Sequence, residues 1–150
     1  MYALITNDVE EFCIARGEMS YDTAIRIRDE ALPKLLALYS KYEIKSTFYF
    51  LGSFTRMVPE TVSMVQNEGH EIGSHAFSHM NQHAFDQLSL RDQILHLKLS
   101  RKVLESNGAV VESFRAPALR INENTVKALE ETGFTSDSSI SSRRIDSFFS

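Results

Sequence analysis

Short apolar runs and helical patterns alternate along the chain at intervals of about thirty residues, a rhythm that restricts it to α/β folds with a largely parallel sheet. Strands are expected at residues 2–6, 45–51, 70–74, 110–115 and 134–140. The first is an apolar run broken by Asn7 and Asp8. The second, KSTFYFL, is rich in β-branched and aromatic residues and closes at Gly52. Helices are expected between them. One runs from residue 29 or 30 to about 42, with Leu32, Leu35, Leu36 and Tyr39 on one face and Pro33 in its first turn. Another opens at Pro59 and stops at Gly69. The longest, residues 90–106, offers Ile94, Leu97, Leu99, Val103 and Leu104 to the core and ends at Gly108. The last is capped by Asn122 and ended by Gly133. Residues 13–23 and 78–87 read as loop, and the last ten residues give no element.

Two architectures satisfy this pattern, an open doubly wound sheet and a (β/α) barrel. In both, functional groups gather at the carboxyl ends of the strands. Three clusters fall there: Asp8-Val9-Glu10, the pair His75 and His79, and Arg115-Ala116-Pro117. At 150 residues the chain fits one domain. A net charge of −4 with no basic run argues against nucleic acid or an anionic membrane as a partner. No stretch approaches the ~18 apolar residues of a membrane span. The start lacks a charged n-region and meets Asp8 too soon for a signal peptide, so a cytoplasmic location is expected. Cys13 is the sole cysteine, which excludes an internal disulfide and fits a buried small side chain.

Histidines four apart lie on one face of a helix or a strand, so both imidazoles can address one point. Two imidazoles and a carboxylate hold a divalent metal while leaving positions open, and the set suits zinc, iron(II), manganese or cobalt. Asp8 and Glu10 share a face if the strand continues. One can then ligate while the other serves as general base, oriented by the guanidinium of Arg115. His70 reads as packed or hydrogen-bonded beside its strand, His83 as a loop residue able to approach a ligand, and His96 as structural. The same ligand set also serves iron(II) oxygenases, but helix–strand alternation speaks against those scaffolds.

These motifs resemble the polysaccharide deacetylases with a NodB-type domain, carbohydrate esterase family 4. Gly69-His70-Glu71-Ile72-Gly73-Ser74-His75-Ala76-Phe77-Ser78-His79 matches the family's His-Ser/Thr-x-x-His run. Thr6-Asn7-Asp8-Val9-Glu10 is similar to the branch carrying Asp-Val-Glu in place of Thr-Phe-Asp-Asp. Phe114-Arg115-Ala116-Pro117 matches Arg-x-Pro, and residues 44–52 match the family's Val-Lys-Ala-Thr-Phe-Phe-Val-Gly strand. The resemblance covers residues 2 to about 140. It implies a distorted (β/α) barrel, incomplete relative to eight strands, and metal-dependent removal of an N-acetyl or O-acetyl group from a carbohydrate or amino sugar. It implies Asp8 as base, oriented by Arg115, and His75 and His79 as metal ligands. Glu10 would be the acidic ligand, one place beyond the family's usual aspartate, where Val9 stands. The family's later tryptophan motif and final Leu-x-x-His are not in these 150 residues, so a C-terminally truncated NodB-like domain is expected. Two alternatives accompany this reading: an inactive remnant that binds glycan or a partner, and a hydrolase of a small non-sugar amide.

Overall fold

The computed structural model describes residues 3–13 and 18–140. Its centre is a five-stranded parallel sheet. The strands are β1 (Thr6–Val9), β4 (Thr47–Phe50), β5 (Glu71–Ser74), β6 (Ser113–Phe114) and β7 (Ser136–Asp137), adjacent in that order. A small antiparallel hairpin, β2 (Phe12–Cys13) and β3 (Glu18–Met19), branches off after β1. The sheet strands stand side by side in chain order with no reversal. A doubly wound sheet reverses its order at a switch point, so the arrangement is the wall of a (β/α) barrel. It is incomplete among the described residues.

The two faces of the wall differ in chemistry. Phe48, Phe50, Ile72 and Phe114 point outward and are buried against the helices. Each such side chain contributes about 1.5–3 kcal/mol of apolar transfer on burial. The inward positions alternate with them and are polar. Glu71 accepts hydrogen bonds from the Thr47 and Ser113 hydroxyls, both at 2.6 Å. Thr47 and Glu71 line a solvent-open cavity of about 650 Å³ that extends to Thr6, Tyr49, Arg115 and Ser138.

Helix α1 (Tyr21–Arg26) starts where the Ser20 hydroxyl accepts from Thr23 N–H. It passes through a π turn (Ile27–Ala31) into α2 (Leu32–Lys41). The expected helix therefore begins about eight residues early, inside the stretch read as loop. Pro33 sits within a continuous rod because the turn before it is widened: Leu32 N–H bonds to the Ile27 carbonyl, five residues back. A further helix that the sequence did not announce, α3 (Gly52–Met57), follows β4 directly. Helices α4 (Glu60–Asn67), α5 (Leu90–Glu105) and α6 (Asn124–Glu131) lie where the pattern places them.

Several expectations shift. The first strand is Thr6–Val9, not residues 2–6: Leu4 is 98% exposed, and only residues from Thr6 onward pair with β4. The fourth and fifth strands are reduced to two residues each. In α5 the buried face is Gln93, Leu97, Ser100 and Leu104, whereas Leu99 is exposed. The Ser100 hydroxyl meets that of Ser74 at 2.9 Å, a close approach that needs a small residue on each element. The polar loop after β5 contains two 3-10 turns, Asn81–His83 and Phe85–Gln87. The side chain of Cys13, the position of Tyr2 and residues 141–150 lie outside what is described. No helix among the described residues is long and apolar enough to cross a membrane.

Candidate metal centre and active site

Four backbone hydrogen bonds fasten the carboxyl ends of the strands together. Leu51 N–H bonds to Val9 O (3.1 Å), His75 N–H to Phe50 O (2.8 Å), Arg115 N–H to Ser74 O (2.9 Å) and Ser138 N–H to Phe114 O (2.8 Å). This ladder brings Glu10, His75 and Arg115 to one end of the wall. Ala76, at φ 60°, then turns the chain out of β5, and its N–H bonds to the Ser74 hydroxyl at 3.2 Å. The first residues of α3 strap that loop down: Gly52 N–H bonds to Ala76 O and Ser53 N–H to Phe77 O. A Cβ on Gly52 would lie 2.7 Å from the Phe77 ring, so the strap requires glycine. Within this strapped loop, His79 comes back beside His75, with ring centroids 5.9 Å apart.

The donor atoms converge. Glu10 Oε2 lies 3.7 Å from His75 Nε2 and 3.6 Å from His79 Nε2. All three lie within 4.8 Å of one another. Glu10 Oε2 is buried and has no hydrogen-bond partner among the described residues. These separations are too long for hydrogen bonds. They come near the spacing of donors around a cation, about 3.3 Å in a tetrahedral shell with bonds of about 2.0–2.1 Å. His75 Nδ1 lies 2.8 Å from the Arg115 carbonyl, which can only accept, so Nδ1 carries the proton and Nε2 presents its lone pair to Glu10. Burial pushes the His75 pKa down to about 4 against the opposing pull of Asp8, which leaves the imidazole neutral near pH 7. Burial raises Glu10; His79 opposes this, while Asp8 and Glu11 add to it. The residues therefore fit a divalent cation.

Asp8 lies inside β1 and not after it, and Arg115 Nη1 donates to its Oδ1 at 2.9 Å. The same guanidinium donates to the Thr6 hydroxyl (2.8 Å) and the Ser138 hydroxyl (2.8 Å), and stacks 4.5 Å over the Tyr49 ring. Sequence reasoning missed Thr6, Tyr49 and Ser138. Their only signal is the inward alternation of the strands, which the early placement of β1 concealed. The other histidines stand elsewhere. His70 accepts from Ser46 N–H between Tyr39 and Phe48. His83 bonds the Ser78 hydroxyl and stacks against His96, which lies on α5 among Phe77 and Phe85.

The polysaccharide deacetylase family model matches residues 18–136. The chain belongs to the polysaccharide deacetylase family. Asp8 and Glu10 precede the matched span, so the family model does not bear on them. A peptidoglycan-N-acetylglucosamine deacetylase of Bacillus cereus is 32% identical over 105 residues, covering 70% of the chain and 38% of the relative. The chain spans less than half the length of this relative and of two further curated peptidoglycan deacetylases that it matches. Among solved structures, a putative polysaccharide deacetylase from Mycobacterium smegmatis superposes with a TM-score of 0.75 at 24% identity, covering 91% of the chain and 50% of that structure. A family 4 pseudoenzyme from Bacillus anthracis superposes at 0.68 with 16% identity, covering 89% and 42%. These likenesses establish the deacetylase barrel as the fold.

Proposed function

We propose that the chain is the N-terminal part of a NodB-like domain, residues 1–150, that hydrolyses the acetyl group of an N-acetylated, or O-acetylated, amino-sugar glycan. The observation that carries the reading is the meeting of Glu10 Oε2, His75 Nε2 and His79 Nε2 beside the Asp8–Arg115 pair. Glu10, His75 and His79 would hold a divalent metal, with zinc the best match to the nitrogen-rich donor set and iron, cobalt or manganese also compatible. Bound there, a divalent cation polarises a carbonyl and lowers the pKa of water. Asp8 accepts a proton from the attacking water as its oxygen bonds to the acetyl carbon. Arg115 holds one oxygen of Asp8, and no hydrogen bond among the described residues engages the other. Breaking the carbon–nitrogen bond releases acetate, the nitrogen leaves as the amine after taking up a proton from solvent, and the proton on Asp8 returns to solvent.

The test pairs metal content with acetate release from N-acetylglucosamine oligomers and peptidoglycan. His75→Ala and His79→Ala are expected to lose both together. Asp8→Asn is expected to keep metal affinity within a few-fold and to lose about 10²–10⁴ in turnover, the usual worth of a positioned base. Full activity in either histidine variant contradicts the metal reading. Full activity in Asp8→Asn contradicts the base.

A further inference from the structure

Arg115 is gripped at both ends, and only one grip has a place in the reaction above. Its guanidinium holds Asp8 and is itself held by the Ser138 hydroxyl. Its carbonyl accepts from His75 Nδ1–H at 2.8 Å. That carbonyl shares a peptide plane with Ala116 N–H, which donates to the Ser139 hydroxyl at 2.8 Å. The Ser139 hydroxyl donates in turn to Asp137 Oδ1, which also accepts from Ser139 N–H at 2.9 Å. Ala116 and Ser139 are fully buried, whereas Asp137 is exposed on the edge strand β7. Backbone bonding between β6 and β7 reaches Ser138 N–H to Phe114 O, and one step further a side chain takes its place.

A trans peptide is planar, and its N–H and C=O point in opposite directions. Ser139 therefore fixes the direction of the Arg115 carbonyl from the far side of the plane, and that carbonyl fixes the ring of His75. Each donor in the series points the same way, from His75 Nδ1 through the peptide and the Ser139 hydroxyl to a carboxylate. Hydrogen bonds aligned head to tail polarise one another, more so away from water. At the near end this holds the imidazole in one tautomer and strengthens the lone pair of Nε2, the atom beside Glu10. Adjacent serines thus serve different partners: Ser138 steadies the guanidinium beside Asp8, and Ser139 steadies the peptide behind His75. We propose that Ser139 and Asp137 are positioning residues of the metal centre, orienting His75 through the Arg115–Ala116 peptide. The inference rests on the metal reading of Glu10, His75 and His79. Partners behind a ligating histidine typically govern metal affinity by about 10–100-fold.

The test is titration of each apoprotein with Zn(II) alone by calorimetry, at a temperature where circular dichroism shows it folded. The variants are Ser139→Ala, Asp137→Ala, Ser138→Ala and His79→Ala beside the native chain. Ser139→Ala is expected to weaken Zn(II) binding by about tenfold or more. Asp137→Ala breaks the same series at an exposed position, without emptying the core, and is expected to weaken binding by at least about threefold, part of that effect. Ser138→Ala is expected to stay within about threefold of native affinity, because its bond is to the guanidinium and not to the peptide. In NMR spectra of the apoprotein, the His75 Nδ1–H resonance is expected to move upfield in Ser139→Ala and to hold its place in Ser138→Ala. A merely structural serine would lower apoprotein melting and move neither reading. Native-like affinity or an unmoved resonance in Ser139→Ala, with His79→Ala abolishing binding, overturns the role of the pair and leaves the centre standing. Equal affinity losses in Ser138→Ala and Ser139→Ala overturn it too, since the peptide then carries nothing of its own. Undiminished binding in His79→Ala overturns the centre itself.

Discussion

The turn at Ala76 places a non-glycine residue at φ 60°, a region that costs an L-residue roughly 1–2 kcal/mol. It is fully buried and followed by the strap from α3, so the surrounding bonds hold it there. Ala76→Gly should relieve the strain and leave melting unchanged or slightly raised. Ala76→Val puts a branched Cβ where neither φ nor space admits it and should lower the melting temperature sharply; a neutral valine would refute the strain. The residues that meet at the candidate site were nameable from sequence because their spacing is distinctive: His75 and His79, Asp8 and Glu10, Arg115. Thr6, Tyr49 and Ser138 were not, since only the inward alternation of the strands brings them to the Arg115 guanidinium.

At the level of elements, β5 lies so close to its neighbours that position 73 has no room for a side chain. A Cβ there would stand 2.5 Å from the Tyr49 ring and 2.6 Å from the Ser113 hydroxyl. Gly73→Ala should cost about 1–3 kcal/mol by overpacking, read as a lower melting temperature. It should also depress turnover, because Tyr49 supports the Arg115 guanidinium that holds Asp8. An alanine variant with native melting and turnover would show that the ring yields freely. Strand and helix order was legible because apolar runs and breakers alternate cleanly. Boundaries were less so. The register with β4 begins at Thr6, beyond most of the apolar run, and pairing with β4 alone sets where β1 starts. The short α3 was hidden because Gly52 reads as a strand terminator.

Across the molecule, buried neutral imidazoles tie stability to pH. His70, packed between Tyr39 and Phe48, has its pKa lowered chiefly by burial, aided by the charge of Lys45. The unfolded chain takes up that proton first, near pH 6.5, so the contribution of His70 is complete above that value and is lost as pH falls through and below it. The melting-temperature gap between the native chain and His70→Gln should narrow from pH 7.5 to 5.5; a constant gap removes His70 from the account. The order of the wall has a consequence for synthesis. Each sheet strand after β1 pairs with the sheet strand made just before it. A chain leaving the ribosome therefore always finds its docking edge already made, and the sheet can grow in the direction of translation without waiting for distant sequence. His75 and His79 become placeable once β5 has emerged, whereas Arg115, which steadies Asp8, arrives only with the end of β6.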